Sequence, residues 1–165
     1  MKKTLIAGTI VAALVLPGTA AAAKKVYAGT TDGSGQLAMD VVVNKKGKLQ
    51  YITELRGNQI PVTCEQSGAQ TVYFTIPTSI RINTHHKYHS HWEQPTYGNR
   101  SSIRGAFVPK KVTNGTVNFS QHFTAEGSYP EENCNSGDLG YHLDRGAPDV
   151  NPSPLRLNGG HPVGR

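Results

Sequence analysis

The 165-residue chain is short of charge, cysteine and tryptophan: 17% of residues are charged, two are Cys and one is Trp. So low a charge density disfavours a long solvated helix or a charged disordered tail. Two cysteines are too few for a disulfide-dense scaffold. No window of the chain after the first 23 residues carries a convincing 3.6-residue hydrophobic period, which excludes a helical bundle. The sequence also lacks G-x-S-x-G, H-E-x-x-H and a phosphate-binding glycine loop. Its 18 glycines and 10 prolines favour many turns instead.

Residues 1–23 read as a secretory signal peptide. Lys2 and Lys3 precede an apolar run ending at Leu16, Pro17-Gly18 follows, and Ala21-Ala22-Ala23 offers small residues before Lys24. The apolar run is shorter than the roughly 20 residues a membrane-spanning helix needs, so no transmembrane segment is expected after cleavage. Subtracting Lys2 and Lys3 from the 17 basic residues leaves 15 against 11 acidic ones, so the net charge falls from +6 to +4. The remaining charges are scattered, and no nucleic-acid partner is expected. Export to a bacterial envelope or medium favours a disulfide, and Cys64 with Cys134 is the only pair.

The dominant period is two. Leu37, Met39, Val41 and Val43 share one face of residues 36–44, and the turn signal Asn44-Lys45-Lys46-Gly47 leads to residues 48–56, where Leu49, Tyr51, Thr53 and Leu55 alternate with Gln50, Ile52, Glu54 and Arg56. Ile60, Val62 and Cys64 alternate next. Val72, Phe74 and Ile76 follow, and Pro77 ends that strand or confines it to an edge. Later come Ile103, Gly105 and Phe107, then an Asn114-Gly115 hairpin signal, then Val117, Phe119, Gln121 and Phe123, and finally Leu139, Tyr141 and Leu143. The expected fold is all-β: an antiparallel β-sandwich, immunoglobulin-like or a partly open barrel, of seven to nine short strands with one disulfide, occupying residues 24–145. Residues 146–165, with four prolines, are expected to be a flexible tail in which Leu155 and Leu157 could add a short edge strand.

Tyr27-Ala28-Gly29-Thr30-Thr31, of the form Y-x-G-x-T, precedes a hairpin and a cysteine. Near the end, Cys134-Asn135-Ser136-Gly137 is followed by Tyr141-His142-Leu143-Asp144-Arg145. This C-x-[ST]-G, aromatic, Arg series resembles a set of small exported β-sandwich proteins common in actinobacteria. The resemblance covers residues 26–75 and 103–145, with Tyr141 where the pattern usually has Trp. It implies an exported all-β domain with one disulfide and supplies no catalytic residue.

Residues 83–102 fall outside both the strand pattern and the resemblance. A polar stretch of 20 residues inside a compact domain is uncommon, and usually functional or disordered. It holds four of the seven histidines, His85, His86, His89 and His91. On an extended strand His85, His89 and His91 would share a face and could bind Zn²⁺ or Cu²⁺, with Glu93 on the same parity. The same stretch carries Tyr88, Trp92 and Tyr97, which could stack on a ligand. Glu131-Glu132 points to opposite faces of a strand and reads as turn solvation. The sequence therefore suggests a non-enzymatic exported module binding an extracellular ligand or a cell-envelope component. Two alternatives stay open: a metal-binding protein using His85, His89 and His91, and a hydrolase whose site the sequence does not show.

Overall fold

A computed structural model describes residues 22–125 and 130–150, together with the backbone of Arg156–Leu157. The expected signal peptide lies outside the described residues except for Ala22 and Ala23. The chain is all-β and antiparallel, as expected. The strands are β1 (Ala23–Thr31), β2 (Gln36–Val43), β3 (Leu49–Cys64), β4 (Gly68–Arg81), β5 (Lys87–Gln94), β6 (Asn99–Val108), β7 (Val112–Phe123), β8 (Glu132–Arg145) and β9 (Arg156–Leu157). Among the described residues, no helix is long and apolar enough to cross a membrane.

The strands form one continuous sheet in the order β5-β6-β7-β8-β1-β2-β3-β4-β9. This sheet folds over on itself. The end of β3 reaches past the β1–β2 turn to pair again with β8, placing Thr63 opposite Asn135 and Cys64 opposite Cys134. Those two cysteines form the expected disulfide, which closes a 70-residue separation. Across the core, Phe74 of β4 stacks on Phe119 of β7 with ring centroids 5.1 Å apart, although four strands separate them in the sheet. Both layers of the sandwich thus come from a single sheet.

Period-two alternation places the core residues as read from the sequence along β2, β6 and β7: Leu37, Met39, Val41, Ile103, Phe107, Val117 and Phe119 are all buried. Strand β3 departs from it. Val43 pairs with Leu49 and Val42 with Tyr51, so Gln50 is an extra residue; Val41 pairs with Ile52 and Asp40 with Glu54, so Thr53 is another. Two bulges within four residues shift the inward parity twice. Leu49, Ile52 and Leu55 point inward, and Tyr51, expected on the face of Leu49, is turned out to 40% exposure.

Residues 83–102 are also ordered. They form a turn, the edge strand β5, a short 3-10 turn over Pro95–Tyr97 and the start of β6. Tyr88, Ser90 and Trp92 supply the inward side of β5, with Tyr88 buried and Trp92 packed against the core. The apolar signal there is two aromatics and a serine, too faint to read as a strand.

Pro77 sits in β4 opposite Glu54, and the ladder continues beyond it to Arg81. Beyond β8, Val150 packs with Ala28 and Ala38 on the outer face of β1 and β2, and Arg156–Leu157 pairs with Val72 and Tyr73. Over residues 146–150 the expected flexible tail is therefore a packed strap, because Ala28 and Ala38 leave a shallow apolar floor for it. The rest of that expectation, apart from the backbone of Arg156–Leu157, lies outside the described residues.

The strap also completes an ionic cluster. Arg56 donates to Asp40 at 2.7 Å and to Asp149 at 2.8 Å, and it pairs with Glu54; Lys24 pairs with the second oxygen of Asp40. Burial alone would raise the Asp40 pKa, but hydrogen bonds from Arg56 and Lys24 outweigh it and hold the carboxyl below its ordinary range.

Candidate functional site

Because strand neighbours are antiparallel, the start of β1, β3, β5 and β7 and the end of β2, β4, β6 and β8 fall at one end of the molecule. That end is basic. Lys24 and Lys25 begin β1, Lys45, Lys46 and Lys48 lie in the β2–β3 turn, and Arg81 closes β4. Lys87 opens β5, Lys110 and Lys111 form the β6–β7 turn, and Arg145 closes β8. The nearby carboxylates are Asp144, Asp149, which is held by Arg56, and Asp40, which pairs with Lys24 and Arg56. The opposite end carries Asp32, Glu65, Glu93, Glu131 and Glu132, with Arg100 paired to Glu93 at 3.4 Å. Among the described residues, the charges that look scattered in the sequence are thus sorted towards the two ends of the molecule.

Two turns at the basic end share one design. Asn44 Oδ1 accepts the N–H groups of Lys46 and Lys48 at 2.9 and 3.0 Å, and Asn44 N–H donates to the Lys48 carbonyl at 3.0 Å. Asn83 Oδ1 accepts the N–H groups of His85 and Lys87, each at 2.9 Å, and Asn83 N–H donates to the Lys87 carbonyl at 2.9 Å. The fourth residue of each turn has positive φ, 70° at Gly47 and 60° at His86. An Asn side chain replacing two backbone acceptors is what lets a five-residue turn close so tightly. Each turn delivers a lysine to the first position of, or just before, the next strand.

Between these turns lies a groove. Its larger part, about 550 Å³, is flanked by Arg81, Lys87, His89 and Arg104, with Asn83, Asn114 and Thr116 as uncharged polar groups. A smaller recess of about 180 Å³ continues from Arg81 to Lys48, Gln50 and Tyr51. Arg81 lines both. Tyr51 and Arg81 are paired across β3 and β4. No carboxylate lines either part. Among the described residues, Arg104 has a 3.8 Å contact to Asp138, while Arg81 and Lys87 have no side-chain ion pair or hydrogen bond.

Beneath the larger part, Tyr88 and Tyr141 meet hydroxyl to hydroxyl. Tyr88 Oη is 2.7 Å from Thr113 Oγ1, and Tyr141 donates to the Arg104 carbonyl at 3.0 Å. Burial pushes the Tyr88 phenol up to about 12, and burial together with Tyr88 raises Tyr141 further. Gly105 and Gly115 face each other across β6 and β7. A Cβ on either would come 2.4 Å from the Tyr141 hydroxyl. The two glycines are needed so that the tyrosines can cross the backbone there.

The aromatic candidates do not assemble into an exposed platform. Tyr88 is 4% exposed and belongs to the core. Trp92 packs against that core. Tyr97 is exposed at the acidic end, where its ring stacks on His122 with centroids 3.6 Å apart. His122 Nδ1 lies 3.1 Å from Asn133 Oδ1 and Nε2 lies 3.0 Å from Glu131 Oε1. Two aromatics line the groove: the buried Tyr88 at the larger part, and the exposed Tyr51, not among the candidates, at the smaller.

The histidine set does not converge either. His85 is in the turn before β5, off the strand face that carries His89 and His91. The His89 and His91 rings are 6.3 Å apart at an angle of 38°. Among the described residues, Cys64, Glu132 and Cys134 are the one group of three or more ligand-type side chains with donor atoms within 4.8 Å of one another. Its two sulfurs are joined as the disulfide. The third member, Glu132, is buried and accepts from Gln66 N–H at 2.8 Å, from Ser67 N–H at 2.9 Å and from the Ser67 hydroxyl. Burial raises its pKa, but these donors outweigh that and hold it below the ordinary value. Glu132 thus fastens the β3–β4 turn, where solvation was expected.

No family model, curated protein or solved structure matches the chain.

Proposed function

We propose that this protein is an exported, non-enzymatic binding module of the bacterial cell envelope, and that its ligand is held in the groove at the basic end. The observation that carries this reading is the pair Arg81 and Lys87: two cations beside a groove, with no side-chain ion pair or hydrogen bond among the described residues. Unpaired exposed cations around a concavity on a firm sheet are available to a ligand without first breaking internal pairs.

Two features favour binding over catalysis. The groove lining has no carboxylate, and its one histidine, His89, is exposed with no side-chain hydrogen bond among the described residues to orient it as a general acid or base. His122, the one histidine among the described residues that is buried, has both ring nitrogens against protein oxygens.

The export half of the reading is tested by producing the full chain in a bacterium and determining the N-terminus of the product. A product outside the cytoplasm that begins at or beside Lys24 supports it; a full-length cytoplasmic product contradicts it. The binding half is tested by co-sedimentation with isolated cell-wall material. Sedimentation that is lost in Arg81→Gln plus Lys87→Gln supports it, and a protein that stays in the supernatant contradicts it.

A further inference from the structure

Three features of the groove converge on one ligand chemistry. The cations Lys48, Arg81, Lys87 and Arg104 are distributed along both parts rather than gathered at one point, and Arg81 stands where the parts join. This suits a chain with repeated negative charges better than a single anion. Between the cations stand amides and a hydroxyl: Asn44 and Gln50 in the smaller part, Asn83, Asn114 and Thr116 in the larger. Asn44 and Asn83 use Oδ1 to close their turns and Asn114 Oδ1 lies 2.6 Å from His142 Nδ1, so these three amides offer Nδ2 as a donor, while Gln50 and Thr116 both donate and accept, matching ligand hydroxyls. Finally, the double bulge in β3 turns Tyr51 out beside Arg81, offering one aromatic ring. A phenol ring packs against the apolar face of a sugar and costs little conformational entropy on binding.

We propose that the groove binds an anionic polysaccharide, a chain of sugar rings carrying carboxylates, with Arg81 and Arg104 on its acid groups and Tyr51 against a ring. The proposal rests on the binding-module reading and assigns its ligand class. A single-stranded nucleic acid fits less well, because stacking of successive bases needs several aromatics along the track and Tyr51 is the one exposed aromatic here. A lipid surface fits less well, because a recessed groove turns its cations away from a flat array of headgroups. The acidic end gives the interaction direction, since Glu65, Glu93 and Glu131 repel the same polymer.

The test is calorimetric titration of the protein, prepared from Lys24 onward as the expected export product, with polygalacturonate and with its methyl-esterified form. The acidic polymer should bind, and esterification should weaken binding at least tenfold. Arg81→Gln and Arg104→Gln should each weaken it about tenfold, the scale of one charge-assisted hydrogen bond. Tyr51→Ala should weaken it severalfold. Arg100→Gln removes the same charge at the acidic end and should leave affinity unchanged. Thermal melts establish that each variant is folded. Equal affinity for the esterified polymer would overturn the anionic assignment while leaving a binding module in place. Equal loss in Arg100→Gln would reduce the effect to net charge and overturn the site. Single-stranded DNA, or phosphatidylglycerol vesicles, bound as tightly as polygalacturonate and insensitive to Tyr51→Ala would overturn the polysaccharide class. No binding of either polymer, alongside continued sedimentation with wall material, would overturn the ligand and not the binding reading.

Discussion

Tyr51 lies opposite Arg81 in the β3–β4 ladder, with both side chains outside the core and both lining the same recess. Neither position is explained by packing. Tyr51 is outside because Gln50 and Thr53 are bulged as extra residues in β3; regular alternation through the same residues would put the ring on the side of Leu49 and Leu55.

This separates the tyrosines into two classes by stability. Tyr51→Ala should change unfolding free energy by less than about 0.5 kcal/mol, the range for exposed positions. Tyr88→Ala should cost about 3–5 kcal/mol, the range for a buried aromatic, because it empties the core beside Phe107 and takes one of their hydrogen-bond partners from Thr113 and Tyr141, which keep only the Ala106 and Arg104 carbonyls. Urea denaturation of the two variants measures the contrast.

The outer ionic cluster should tolerate loss of one partner poorly. Asp40 is fully buried and Arg56 nearly so. Asp40→Ala leaves a buried guanidinium with only the more exposed Glu54 and Asp149, and should cost about 3–5 kcal/mol. Lys24→Ala, which removes a 59% exposed partner, should fall within about 1 kcal/mol of the parent. Thermal or chemical denaturation distinguishes them.

Acid should weaken the fold through Asp40 and Glu132. Both carboxyls titrate below their ordinary values when folded. A depressed folded pKa contributes stability that is complete above the unfolded value and is lost as pH falls through the folded one. Unfolding free energy should therefore be flat from pH 7 to about pH 5 as far as these groups are concerned, then fall below about pH 4. Glu132→Gln should flatten the fall while lowering stability at pH 7, because the amide cannot accept from Gln66 and Ser67 as the carboxylate does. Denaturant midpoints across pH provide the measurement.

The disulfide joins β3 to β8 where the sheet folds over on itself. A bridge across 70 residues should contribute roughly 4 kcal/mol by restricting the unfolded chain. Cys64→Ala plus Cys134→Ala should lower the unfolding free energy by about that amount, measured by denaturation under identical buffer conditions.

The sequence makes the all-β class, the single disulfide and most of the inward residues legible, since alternation reports burial directly when one face is core. It misleads wherever register changes. Gln50 and Thr53 carry no mark of a bulge, so alternation puts Tyr51 on one face with Leu49 and Leu55. Strand β5 hides because its inward side is Tyr88, Ser90 and Trp92 and its outward side is rich in histidine, so it reads as a loop. The basic end is spelled out in Lys45, Lys46, Lys48, Arg81, Lys87, Lys110 and Lys111, yet these look scattered until antiparallel pairing brings alternate strand ends together. One local signal was available: both Asn44 and Asn83 stand four residues before a lysine, and both turns close on that pattern.

The central claim is that ligand is taken at the basic end. Amide NMR of the protein titrated with polygalacturonate fragments locates contact residue by residue. The account predicts shifts concentrated at Lys48, Tyr51, Arg81, Lys87 and Arg104, with Glu65, Tyr97 and Glu131 unmoved. Shifts centred on Tyr97 and His122, or spread evenly over both ends, would contradict it.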